Sequence, residues 1–193
     1  MSKILKIISL AICLWTCSAC THQPTEPMRI PPIDWQEGDL VFRRGRSVNS
    51  HLVVAADTQG HYSHVGIVVW IDSAYNVIHA VPGEAPTDSP DIVKCDPIAL
   101  FYAPKHAIHG AVTRCKDTLA AQRAAMQAIN MYHHHVPFDH RYDWTDSTAV
   151  YCTELVWRCY RAAGLELNND STCRYLLPSW LLHHNKFYQI VNF

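Results

Sequence analysis

From His64 to Ile71 the chain reads H-V-G-I-V-V-W-I, eight positions without Asp, Glu, Lys or Arg. A β-branched apolar run of that length predicts a buried strand. Asp72 to Asn76 predicts a turn and Val77 to Val81 a partner strand. Upstream, Asp34 to Gly38 reads as a turn into a short strand, Asp39 to Arg43. Downstream, three prolines and a glycine make Pro82 to Pro90 a loop, and Ile92 to Cys95 and Ile108 to Thr113 are weaker strand candidates.

The pattern then changes period. Leu119 to about Tyr132 is Ala-rich, and Leu119, Ala120, Arg123, Met126, Ile129 and Asn130 trace an incomplete apolar stripe of helical spacing. A second helix is predicted from about Ala149 to Ala163, with the capping residue types Asp146, Ser147 and Thr148 before it and Gly164 at its C-terminal cap. Between the helices, Val136 to Thr145 reads as a functional loop. A short helix near Pro178 to His183 and a strand from Phe187 to Phe193 close the chain. Strands first and helices after, joined by hairpin-length links, predict an α+β fold with an antiparallel sheet packed against helices.

Composition adds limits. With 193 residues, 49% of them hydrophobic and 17% charged, the chain suits one packed domain. Lys and Arg number 16 against 17 Asp and Glu, and no basic run appears, so nucleic-acid binding is not expected. The first residues read differently. Lys3 and Lys6 precede the apolar run Ile7 to Trp15, and the small residues Ser18 and Ala19 precede Cys20. That order describes an export signal, residues 1–19. Its nine-residue apolar run rises about 14 Å as a helix, roughly half the hydrocarbon core of a bilayer. Cys17-Ser18-Ala19-Cys20 resembles a bacterial lipobox, with Cys17 where Leu is usual, and makes Cys20 the candidate lipid-attachment site. Thr21, rather than Asp, implies outer-membrane sorting in a Gram-negative lipoprotein. Residues 20–33 then form a Pro-rich tether, and 34–193 the domain.

Cys152 is the sharpest candidate for chemistry. It falls in the first turn of the second helix, where unpaired N–H groups favour thiolate over thiol. Cys159, on the same face but deep in the helix, reads as core or disulfide. If Cys152 is free, then Cys95, Cys115, Cys159 and Cys173 allow three pairings, and export permits disulfides. A thiol nucleophile needs a base, and His64 and His79 lie on neighbouring predicted strands. A hairpin centred on Ala74 would set His79 opposite Val69, five residues along from His64 and beyond hydrogen-bonding reach. Glu154 stands four residues before Arg158, the spacing of a helix-face ion pair. Gly38 suits a turn and Asp39 the capture of its N–H groups. His133-His134-His135 is the rival, metal-binding candidate, although adjacent imidazoles point in different directions; His183-His184 is weaker.

Gly38-Asp39-Leu40-Val41-Phe42, Ser63-His64-Val65-Gly66-Ile67-Val68 and Val77-Ile78-His79-Ala80 resemble, in this order, blocks of the NlpC-type cell-wall peptidases. In those enzymes the cysteine block comes first; here Tyr151-Cys152-Thr153-Glu154-Leu155-Val156-Trp157 comes last. That inversion is similar to the circularly permuted papain-like hydrolases of the YaeF/YiiX group and to the lecithin:retinol acyltransferase relatives. The resemblance implies a permuted papain-like fold, Cys152 as nucleophile, His64 as general base and His79 as the polar third member. It also implies an oxyanion site at the Cys152 N–H, for which Tyr142 is a candidate partner. No cofactor and no metal are called for. The expected protein is an envelope cysteine hydrolase, outer-membrane anchored and facing the periplasm, that cleaves a peptide, cell-wall or acyl-amide substrate. A lipid-directed acyltransferase or esterase, or a non-catalytic ligand- or metal-binding lipoprotein, are the alternatives.

Overall fold

The computed structural model describes residues 28–86, 88–168 and 175–193. The export signal 1–19, Cys20, most of the tether and Cys173 lie outside the described residues. Six strands form one sheet: β1 (Leu40–Arg44), β2 (His64–Ile71), β3 (Ala74–His79), β4 (Lys94–Pro97), β5 (His109–Cys115) and β6 (Phe187–Asn192). Their order is β4-β3-β2-β1-β5-β6, and every neighbouring pair is antiparallel. The helices are α1 (Val48–Ala56), α2 (Ile98–Phe101), α3 (Thr118–His133), α4 (Cys152–Ala162) and α5 (Pro178–Leu182). The architecture is α+β, as the order of patterns implies.

Alternation along the strands gives the sheet two apolar faces. Leu40, Phe42, Val65, Ile67 and Ile78 face α3 and α4, against Leu155, Val156, Cys159 and Tyr160. Val41, Val68, Val77 and Val112 face the other way, onto Phe101, Tyr102 and Ala107, with Met28, Ile30, Ile33 and Trp35 packed on the same cluster. The last residues of the expected tether, from Met28, therefore lie against the sheet.

The face of α3 differs from the expected stripe. Ala120, Ala121, Ala124, Ala125 and Ala128 are buried, whereas Leu119 and Met126 are 64% and 58% exposed. The reason is close approach: a Cβ on Gly38 would come within 2.5 Å of the Ala121 carbonyl oxygen. Only small residues fit there. Gly38 has φ +84°, and the neighbouring Asp39 accepts from the Gln36 N–H at 2.9 Å and from Arg114 Nε at 2.7 Å.

The β2–β3 hairpin corrects the expected register. Asp72 and Ser73 both have positive φ, 53° and 62°, as a two-residue I′ turn requires. Ile71 thus pairs with Ala74 and Ile67 with Ile78. His79 comes level with Gly66, two residues from His64 on the same face, instead of opposite Val69. A Cβ on Gly66 would lie 2.4 Å from Val77 Cγ1 and 3.1 Å from His79 Cβ, so this close crossing needs the glycine. Neither α1 nor α2 was expected from the pattern.

Replacing Asp72-Ser73 with Asn-Gly supplies the residues this turn favours. We expect the melting temperature to rise by about 2–4 °C, the equivalent of roughly 1 kcal/mol for a domain of this size. Calorimetry checks it; a fall would contradict the tight-turn register.

Candidate active site

Helix α4 starts three residues later than expected. Val150 is held in an extended bridge beside Phe138, Tyr151 is the N-cap and Cys152 the first helical residue. Asp146 and Thr148 instead bond each other, with Thr148 N–H donating to Asp146 Oδ1 at 2.8 Å. The Tyr151 N–H donates to Glu154 Oε2 at 3.2 Å, and Glu154 accepts from Arg158 Nε at 2.8 Å. Glu154 is fully buried, and burial raises its carboxyl to about 7 against the lowering pull of Arg158. It is the expected helix-face ion pair. Gly164, at φ +86°, closes α4, with the Leu165 N–H reaching the Tyr160 carbonyl at 2.9 Å.

His64 is the first residue of β2, and it opens with Cys152 onto one cavity of about 520 Å³. Arg43, Ser63, Glu84 and Tyr142 share its walls. His64 Nε2 lies 2.8 Å from His79 Nδ1, and His79 Nε2 lies 3.0 Å from Asp96 Oδ2. Sequence reasoning missed Asp96. It sits on β4, beside Val77 on β3, and Lys94 Nζ approaches the same carboxylate oxygen at 2.8 Å. Phe101 covers both imidazoles, with ring centroids 5.1 Å from His79 and 5.7 Å from His64.

Hydrogen-bond chemistry fixes the protons. Burial pushes Asp96 up, but the hydrogen bonds and charges of His79 and Lys94 outweigh it and bring the carboxyl down to about 2. The carboxylate can only accept, so His79 donates from Nε2. Burial lowers His79 to about 4, leaving it neutral with a lone pair on Nδ1. His64 must then donate from Nε2, and its own Nδ1 is left unprotonated. Burial, and next the Arg43 charge, hold His64 well below its ordinary value, so it too is neutral at pH 7.

The thiol corrects one expectation. The N–H groups of Val65, Thr153 and Cys152 lower its pKa, as does Arg43, but burial wins and pushes it up to about 11. At rest Cys152 is a thiol and His64 a neutral imidazole. Arg43, level with His64 in the β1–β2 register, was also missed. It is buried, donates from Nη1 to the Phe101 carbonyl at 2.8 Å and pairs with Glu84.

Tyr142 lies in the expected loop and borders the cavity beside Cys152, packed on Tyr151 with ring centroids 5.4 Å apart. Its φ is 56°, a costly conformation for a bulky residue. Asp139 holds the bend by accepting from the N–H groups of Arg141 at 2.8 Å and Asp143 at 2.5 Å. Burial raises the phenol, so Tyr142 is a donor at neutral pH. Cys95, Cys115, Cys152 and Cys159 are all free thiols, and Cys159 is buried core. The histidine run ends α3: His135 takes φ 51°, and His134 Nδ1 lies 2.8 Å from the Asn130 carbonyl. Among the described residues no group of three or more His, Cys, Asp or Glu side chains converges as a metal site.

A helix-borne cysteine and a strand-borne histidine sharing a cavity, with the histidine strand earlier in the chain, define a permuted papain-like arrangement. The comparisons agree. Residues 34–178 match the model of the permuted papain-like amidase enzymes, the YaeF/YiiX, C92 family, and the chain belongs to that family. The crystal structure of metalloprotein yiiX from Escherichia coli O157:H7 has the same fold, with a TM-score of 0.64 at 20% identity, over 81% of this chain and 96% of that one. No curated protein matches this chain.

Because the thiol rests protonated, alkylation of Cys152 by iodoacetamide should climb about tenfold per pH unit from pH 6 to 9, following the thiolate fraction. Peptide mapping of the labelled site measures it. A plateau below pH 7 would show a preformed thiolate and contradict the burial-dominated balance.

Proposed function

We propose that this chain is an exported, lipid-anchored cysteine amidase in which Cys152 is the nucleophile and His64 the general base. The observation that carries the reading is the hydrogen-bonded series Asp96, His79, His64, which leaves Nδ1 unprotonated on a histidine that shares a cavity with Cys152. Membership of an amidase family supports cysteine hydrolase chemistry.

The reaction proceeds in two halves. Cys152 Sγ bonds to the amide carbonyl carbon as its proton passes to His64 Nδ1. The resulting oxyanion is met by the Cys152 N–H and the Tyr142 hydroxyl. When the C–N bond breaks, His64 returns that proton to the departing amine and a thioester remains. Water then attacks the thioester, giving its proton to His64, and the carboxylic acid and thiol are released. His79 keeps the His64 ring oriented and its tautomer fixed, and Asp96 does the same for His79. His79, an expected third member of the triad, is in this account the middle link of the Asp96, His79, His64 series. Acyl transfer to an amine would differ only in what resolves the thioester.

We read export and anchoring from Lys3, Lys6, the apolar run and Cys20, and an outer-membrane position facing the periplasm from Thr21. Among the described residues no helix is long and apolar enough to cross a membrane. The word metalloprotein belongs to yiiX; the described residues of this chain offer no converging donor set, and no step here uses a metal.

Cys152→Ala should abolish amide turnover while leaving the thermal midpoint within a degree or two of the parent; full activity in that variant would sink the mechanism. Asp96→Asn should lower kcat about 10- to 100-fold, the usual scale for a supporting hydrogen-bond partner, with KM little changed. Steady-state kinetics on the full chain separate the two, and an unchanged kcat would remove Asp96 from the account.

A further inference from the structure

Among the described residues, Glu84 is the one acid lining the catalytic cavity, and no step of the reaction above uses it. It stands on the loop from Pro82 to Pro90 and reaches across to β1, where it pairs with Arg43. Arg43 is buried and Glu84 nearly so, with side chains 2% and 15% exposed. His106 Nδ1 lies 3.3 Å from the same carboxylate oxygen, and Lys94 Nζ lies 3.8 Å from the other. The turn that carries Glu84 is held independently of it: Gly83 takes φ +72° and gives its N–H to Asp91 Oδ1 at 2.9 Å.

The place of Arg43 gives this pair its consequence. Arg43 is level with His64 across β1 and β2, so a fixed cation stands beside the base. The titratable groups set around His64 are Arg43 of β1, His79 of β3 and Cys152 of α4, with Lys94 and His106 farther off. His79 is neutral, and Lys94 is offset by Asp96 at 2.8 Å. Arg43 is therefore the charge that a protonated His64 meets, and like charges out of water repel strongly. Cys152 meets the same cation with the opposite sign, but there the N–H groups of Val65, Thr153 and Cys152 act more strongly. We propose that Glu84 is a positioning residue of the reaction: it holds Arg43 in place and offsets its charge, so that His64 can accept a proton from the thiol and later from water. Glu84 acts through Arg43 and touches no reacting atom. The proposal rests on the Cys152–His64 reading. Without Glu84, Arg43 favours the thiolate and opposes the imidazolium, so attack by sulfur and activation of water respond in opposite directions.

p-Nitrophenyl acetate separates the two on the full chain, because its leaving group departs without a proton. The Cys152 thiolate sulfur bonds to the acetyl carbon and nitrophenolate leaves with the bonding electrons, so the burst reads the thiolate. Deacylation needs the base. The oxygen of water bonds to the acetyl carbon as its proton goes to His64 Nδ1; the C–S bond breaks with its electrons on sulfur, and acetic acid leaves. At pH 7, Glu84→Gln should speed the burst about threefold to tenfold and slow decay of the acetyl-enzyme about tenfold, the scale of one unscreened charge nearby. Stopped-flow absorbance reads the first and intact-protein mass spectrometry the second. Iodoacetamide labelling of Cys152 should rise with the burst, and Glu84→Asp should return both rates toward the parent. In an Arg43→Gln background, adding Glu84→Gln should change neither rate. If Arg43→Gln does not fold, the opposite signs in Glu84→Gln alone carry the test. Both rates falling together is what loss of a merely structural tie gives, and it overturns the proposal, as does no change in either. A parent without a burst, or a burst that persists in Cys152→Ala, overturns the Cys152–His64 reading instead.

Discussion

A buried carboxylate sets the state of the site. Asp96 is almost wholly out of water, where an unpaired charge would be untenable. Its oxygen Oδ2 is therefore met by Lys94 and His79 together. Because a carboxylate only accepts, the tautomer of His79 follows, and from it the tautomer of His64. The polarity of the series runs from the far edge of the sheet to the cavity without any group having to be charged except Asp96 and Lys94. Three strands are required to build it: β4 for Asp96, β3 for His79 and β2 for His64. The two-residue turn at Asp72-Ser73 sets the β2–β3 part of that register, and the β3–β4 pairing brings Asp96 beside it.

The same burial that protects the series holds the thiol protonated. Arg43 acts on both partners in opposite senses: it favours a thiolate on Cys152 and disfavours an imidazolium on His64. Its pairing with Glu84 moderates each effect. The resting pair is uncharged, so charge separation is confined to the moment of attack, when the helix N-terminus can stabilise the developing anion. Tyr142 adds a strained backbone at that point, held by Asp139. Strain of that kind is sustained only where surrounding contacts outweigh it.

Much of this was legible in the sequence because it rests on local pattern. The eight-residue β2 run matches its strand from His64 to Ile71, and Gly164 closes α4 as a C-cap. What failed was decided by neighbours. Asp72 and Ser73 can take positive φ, but nothing local says that they must, and a shift in the turn moved His79 within reach of His64. Asp96 follows a weak strand and looks like an ordinary surface acid until β3 is beside it. The alanine face of α3 outcompetes the Leu119–Met126 stripe because Gly38 and the sheet come too close for larger side chains. Helix α1 has apolar residues without a buried face, so its periodicity gives little signal, and α2 has only four residues. The family resemblance supplied the pairing of Cys152 with His64, which spacing alone would not have joined.

The most direct test of the central claim is the protonation of the two buried imidazoles, read by nitrogen-15 NMR of histidine-labelled protein at pH 7. The account requires both His64 and His79 to be neutral, each protonated at Nε2 and bare at Nδ1. A His64 imidazolium, or a proton on its Nδ1, would mean that the Asp96–His79 series does not set the base, and the account would fail.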